Sequence, residues 1–169
     1  MFRANSSTWW SRRYLLLGLA LLLPACGFQP RGQAKLPPSI RSVHISTADR
    51  YSPFYRELTT ALRAKGATLT DDVEKADAVI RVTRDDTGQR VLAVSTRNVP
   101  TEYDIYYTIR YDIAVNGAMA FEPQTLTLTR DYTYNENEVL GKAREEDLLR
   151  EALAVDLAGL VTRRLNAQN

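Results

Sequence analysis

The sequence predicts an α+β fold: a mostly antiparallel sheet of four to five strands with two α-helices packed on one face. Three observations predict it. First, in Thr101–Asn116 the residues Tyr103, Ile105, Tyr107, Ile109, Tyr111, Ile113 and Val115 fall on one side, with Glu102, Asp104, Thr108, Arg110 and Asp112 on the other. A period of two over such a length marks a long strand with one buried face. Second, two stretches carry apolar residues at helical spacing, near residues 53–65 and 142–165. Third, shorter β-forming runs lie at 39–46, within 77–97 and at 125–134.

The chain opens with Arg3, Arg12 and Arg13, an unbroken apolar run from Tyr14 to Leu23, and then Leu23-Pro24-Ala25-Cys26. That is the basic, apolar and small-residue order of a signal peptide, here residues 1–25. The run of ten residues would reach about 15 Å as a helix, too short for a permanent span. Cys26 is the chain's single cysteine. The stretch resembles a bacterial lipobox, in which the thiol takes a diacylglycerol, although Pro24 replaces the usual small residue. Residues 26–38 (Gly27 to Pro38 after the cysteine) mix glycine, proline and polar residues without periodicity, which predicts a lipidated flexible tether.

Ser39–Ser46 is predicted as the first strand of a single domain spanning 39–165. Its His44 is the chain's one histidine, and lacking a second histidine or a thiol it reads as a satisfied strand residue. Ser52-Pro53 opens a helix, with serine at the cap and proline at the first helical position. Phe54, Leu58, Ala61 and Leu62 form its apolar face, and Gly66 follows as a C-terminal cap. Asp71–Ala76 is a polar connection. Asp77–Thr83 and Arg90–Arg97 read as strands, and Asp85-Asp86-Thr87-Gly88 between them has turn chemistry. Residues 77–97 are therefore a hairpin or one bent strand. Asn116-Gly117 marks a turn.

Thr125–Tyr134 alternates again, with Arg130 on the same side as Leu126, Leu128 and Tyr132. A cation there needs a carboxylate partner, a rim position or an anionic ligand. Asn135–Gly141 is a loop. The closing helix is predicted over Lys142–Leu165. Glu145, Glu146 and Asp147 lie near its start, and Arg163 and Arg164 near its end, complementing the helix dipole. Its apolar stripe is Leu149, Leu153, Leu157, Leu160 and Val161, widened by Leu148 and Ala152. Residues 166–169 are a short tail.

Composition narrows the function. Three of the 22 basic residues lie in the leader and none of the 20 acidic ones, leaving 19 against 20 in the mature chain. A basic nucleic-acid-binding domain is not indicated. With its one cysteine assigned to lipid, the chain has no thiol for a disulfide or a metal. No phosphate loop, nucleophile elbow or histidine pair is present, so the sequence points to no enzyme, cofactor or metal site. What remains is an envelope lipoprotein with a compact body that binds something.

The order of lipobox, strand, helix, strands and long helix resembles the LptE family. So do Arg130-Asp131-Tyr132-Thr133-Tyr134-Asn135-Glu136-Asn137, Leu140-Gly141-Lys142, Glu145-Glu146-Asp147-Leu148-Leu149-Arg150 and the mature start Cys26-Gly27-Phe28. The resemblance implies a plug inside the outer-membrane β-barrel LptD, assistance to that barrel's assembly, and binding of lipopolysaccharide. It also implies an outer-membrane anchor on the periplasmic side, with which Gly27 after the cysteine agrees. Lys142 falls where the resemblance places a basic residue in contact with lipopolysaccharide. Arg90, Arg97 and Arg130 join it as candidates, because lipid A phosphates are recognised by charge-assisted bonds. The alternative is a structural envelope lipoprotein that scaffolds another complex and binds no glycolipid.

Overall fold

The computed structural model describes residues 35–133 and 139–167. The expected signal peptide, Cys26 and most of the expected tether lie outside the described residues. The tether's last part does not: Leu36 and Pro37 are buried, and the Leu36 N–H reaches the Lys65 carbonyl at 3.4 Å.

The first strand, β1 (Ser42–Ser46), leads to helix α1 (Pro53–Ala64). The Ser52 hydroxyl accepts from the Tyr55 N–H at 3.1 Å, closing the helix start as the sequence predicts. Phe54, Leu58 and Leu62 are fully buried. Gly66 adopts φ +89° past the helix end. Its N–H donates to the Arg63 carbonyl, and the Ala67 N–H donates to that of Leu62, at 2.9 and 3.1 Å. This paired closure satisfies carbonyls the helix leaves open and turns the chain back.

The returning chain forms a two-residue strand, β2 (Thr68–Leu69), parallel to β1. A single turn of 3-10 helix, Val73–Lys75, follows. The sheet order is β2-β1-β3-β4-β5, with β3 (Ala78–Val94), β4 (Pro100–Val115) and β5 (Ala118–Thr133) in an antiparallel meander. Because β1 also runs parallel to β3, the sheet is mixed, a small departure from the antiparallel expectation. The long helix α2 (Val139–Asn166) closes the fold and packs with α1 against one sheet face. It begins three residues before the predicted Lys142.

Strand β3 settles the ambiguity over 77–97: it is one strand, and Asp85–Gly88 lie inside it. Its pairing with β4 shifts register between Val82 and Arg84. This bulge at Thr83 reverses which residues face the helices. Ala78, Ile80 and Val82 face them before it, and Asp85, Thr87 and Gln89 after it, as their β4 partners Val115, Ile113, Tyr111, Ile109, Tyr107 and Ile105 show. The real turn is Ser95–Val99, held by Ser95 N–H to Val99 O at 2.8 Å and by Asn98 at φ 60°.

The bulge also delivers Asp85 to the start of α1. Its carboxylate accepts from the Ser52 hydroxyl at 2.5 Å and from the Tyr107 hydroxyl at 2.7 Å. The Tyr107 oxygen in turn accepts from the Phe54 N–H at 3.2 Å. Burial, and then the hydrogen bond to the Asp85 carboxylate and its charge, push the Tyr107 phenol well above its ordinary range. The tyrosine stripe is therefore core: Tyr107 and Tyr111 are buried beside Ile105, Ile109 and Ile113.

Asn116 and Gly117 both take positive φ, the mirror-image turn that suits a hairpin's twist. On α2, Leu153, Leu157 and Val161 are buried as expected, but Leu148 is 59% exposed and does not widen the stripe. The acidic trio sits beyond the first turn. Glu146 and Asp147 instead pair with Arg150, and Glu145 with Lys142. His44 is buried in β1, with Nδ1 2.9 Å from the Thr70 carbonyl, a satisfied strand residue.

Candidate functional site

The β3–β4 hairpin, the end of β5 and the start of α2 meet at one end of the sheet. Near its end β3 again shifts register against β4, between Val91 and Ala93 and between Ala93 and Val94, and Val91, Leu92 and Val94 are all half-exposed. Three exposed aliphatic side chains so close together on a domain with a closed core form a small apolar tip. Arg97 lies in the turn at its apex and is exposed. Among the described residues, no carboxylate pairs with it.

The other three candidates are tied into the fold. Arg90 pairs with Asp104, whose side chain is only 5% exposed, and its guanidinium stands 5.4 Å from the Tyr106 ring centre. Tyr106 lies across Gly88, where a Cβ would meet its hydroxyl at 2.6 Å. The glycine thus gives the ring room to lie flat. Arg130 has a carboxylate partner, Asp156 on α2, at 2.7 Å, which resolves the cation placed among Leu126, Leu128 and Tyr132. Lys142 donates to the Thr133 carbonyl at 2.5 Å and pairs with Glu145 at 2.9 Å. Its ammonium also stands 5.7 Å from the Tyr132 ring centre.

The four cations therefore share one end of the sheet but not one face. Arg130 registers with Ile105 and points to the helices, whereas Arg90 registers with Asp104 on the opposite face. Between Lys142 and the tip, Tyr103 and Tyr132 stack with ring centres 5.6 Å apart. The Tyr132 hydroxyl reaches Gln89 Oε1 at 3.3 Å, and burial followed by the Glu146 charge raises its phenol pKa. It stays protonated at neutral pH and can act as a donor.

The sheet face away from the helices is polar from Arg81 and Asp112 on to Arg90 and Asp104, while Val79, Ala114 and Met119 make it apolar at its base. Arg81 pairs with Asp112 at 2.8 Å, and the Thr108 and Thr127 hydroxyls meet at 2.9 Å. Thr125 and Thr129 register with Arg110 and Tyr106 on the same face. Among the described residues, no group of three or more His, Cys, Asp or Glu side chains could hold a metal ion. Sequence reasoning missed the apolar tip, because Val91, Leu92 and Val94 read as ordinary strand residues. The signal was there in Val91-Leu92-Ala93-Val94, four consecutive apolar residues where a strand with one buried face would alternate.

The family model for LptE, lipopolysaccharide-assembly, matches residues 40–165. The chain belongs to the LptE family. The match covers the whole sheet and all but the ends of the domain. The LPS-assembly lipoprotein LptE of Yersinia enterocolitica is 28% identical over 89% of this chain and 73% of its own length. That of Pectobacterium atrosepticum is 26% identical over 89% and 83%. Among solved structures, lipoprotein B from Nitrosomonas europaea superposes with a TM-score of 0.69, at 25% identity over 83% of this chain and 91% of that one. A minor lipoprotein from Acinetobacter baumannii gives 0.63, at 25% identity over 76% and 92%. The family assignment makes this a lipoprotein of lipopolysaccharide assembly.

Proposed function

We propose that this lipoprotein is anchored at the periplasmic side of the outer membrane through acylated Cys26, plugs an LptD-type β-barrel, assists that barrel's assembly and binds lipopolysaccharide. The observation that carries the plug reading is the polar sheet face opposite the helices. A barrel's strands alternate lipid-facing and lumen-facing side chains, so its lumen is lined by polar groups. The stretch of threonine, tyrosine and paired charges that makes up most of this face can hydrogen-bond such a lining. Membrane attachment is assigned to the lipid on Cys26; among the described residues no helix is long and apolar enough to cross a bilayer.

For lipopolysaccharide the tip is the best-suited surface. Arg97 offers a free guanidinium to a lipid A phosphate, and Val91, Leu92 and Val94 offer apolar contact to acyl chains. Arg90 and Lys142 stand close by with their own structural partners, and a phosphate would have to share or displace those. Arg130 is the weakest of the four candidates, being paired on the helix side. The role is that of a binder and assembly partner, with no catalytic step.

Purification of the full-length, C-terminally tagged lipoprotein from detergent-solubilised envelopes tests this. A stoichiometric barrel of the LptD type is expected with it, and lipopolysaccharide bound by the parent chain but weakened in Arg97→Glu. Recovery of acylated protein with no barrel and no glycolipid would favour the scaffold alternative.

A further inference from the structure

At the opposite end of the sheet from the tip, a groove of about 390 Å³ lies between the segment entering β1 and the last turn of α1. Lys35, Arg41, Arg63 and Lys65 line it, and no carboxylate does. Lys35, Arg41 and Arg63 are exposed. The helix dipole accounts for basic residues at the end of α1, which covers Arg63 and Lys65. It does not account for Lys35 and Arg41, which arrive from a different segment. Asp77 stands near Arg41, but its Oδ2 accepts from the backbone N–H groups of Arg41 and Ser42, each at 2.8 Å. Those bonds hold its pKa below the ordinary carboxylate value.

The chain itself says which partner this groove meets. Eight residues separate Cys26 from Lys35. Fully extended they span at most about 30 Å, so an acylated Cys26 keeps the groove close to its own leaflet. Basic residues beside an acyl anchor act as a second membrane signal, each contributing about fivefold in partition to an anionic surface. We infer that this groove docks on anionic phospholipid headgroups of the leaflet that holds Cys26, so that the domain is oriented on the membrane as well as tethered to it. The inference rests on the lipoprotein reading of Cys26.

The mature chain carrying Cys26→Ser, which cannot be acylated, is the material for the test. It is floated with vesicles of phosphatidylethanolamine and phosphatidylglycerol, and with vesicles in which phosphatidylcholine replaces the phosphatidylglycerol. Binding is expected to the anionic vesicles alone. It should fall about a hundredfold when Lys35→Glu, Arg41→Glu and Arg63→Glu are combined, and hold in Arg144→Glu, at an exposed position on α2. Circular dichroism melting checks that the combined variant folds. If it melts early, Lys35→Gln, Arg41→Gln and Arg63→Gln are combined instead and read the same way.

Equal binding to both vesicle types overturns the inference, as does a folded groove variant that floats like its parent. An equal loss in Arg144→Glu would make the attraction a matter of net charge and overturn it too. The mass of the N-terminal peptide of the native lipoprotein tests acylation separately. An unmodified Cys26 would defeat the tether without changing the vesicle result.

Discussion

The two ends of the long sheet are both basic, yet they are built differently. Around the start of β3 and the end of β4, Ala78, Ile80 and Ile113 are fully buried, and the nearby cations sit on the rim of a groove. Roughly 50 Å further along β3, by the rise of an extended strand, the aliphatic residues are half-exposed. Two of the cations there, Arg90 and Lys142, are engaged within the fold. A count of charges would not separate these ends; what the charges are paired with, and what apolar surface lies beside them, does. The base suits flat anionic headgroups. The tip suits a ligand that is anionic and apolar at once.

The sharpest way to break this comparison is through stability. Ile113→Ala, in the packed half, should cost about 2–5 kcal/mol in urea unfolding, the range for truncating a buried isoleucine. Leu92→Ala at the tip should cost under about 0.5 kcal/mol, as surface changes do. Similar losses at both positions would show the tip to be part of the core.

The cluster that joins the halves is next in size. Asp85→Ala removes two acceptor contacts and leaves the Ser52 and Tyr107 hydroxyls seeking partners, an expected loss of about 2 kcal/mol. Tyr107→Phe should lose about 1 kcal/mol, and the double variant less than the sum, because the groups share one network. Strict additivity in chemical denaturation would mean that the cluster is not a unit.

A smaller effect distinguishes the tip's two arginines. Arg90→Ala leaves the buried Asp104 without its partner and should cost about 1 kcal/mol, moderated because Arg90 is itself mostly exposed. Arg97→Ala should leave the melting temperature unchanged while weakening lipopolysaccharide binding. Position 97 is therefore the cleaner probe of ligand contact, and a large drop in melting temperature there would remove that distinction.

The smallest effect lies at the base and depends on pH. The folded state holds the Asp77 carboxyl below its ordinary 3.8. Its contribution is fully present above that value and is lost as pH falls through the lower folded value. Asp77→Asn should flatten this acid limb and leave the pH dependence near neutrality unchanged. Acid titrations of parent and variant that superpose would refute the assignment.

What was legible in the sequence follows the same division. Strand β4 could be read almost residue by residue, because its alternation is unbroken from Tyr103 to Val115. The Ser52-Pro53 start and Gly66 end of α1 were equally clear, since local backbone chemistry sets both. Strand β3 was not, because the bulge at Thr83 reverses its pattern midway and Asp85-Asp86-Thr87-Gly88 imitates a turn. The true turn carries its positive φ on Asn98, a weaker signal than glycine. The parallel pairing of β1 and β2 rests on two residues and left no periodicity to find. Lys142 and Arg130 could be singled out as basic, but their partners at Thr133 and Asp156 depend on how α2 lies against β5. Cys26 stands on its sequence context alone.

The contrast between the ends is tested most directly by photocrosslinking in growing cells, with a photoreactive residue at position 92 in one strain and at position 63 in another. Crosslinks to lipopolysaccharide are expected from position 92 and not from position 63. Lipopolysaccharide captured at position 63 but not at position 92 would contradict the assignment of the tip as the ligand-binding end.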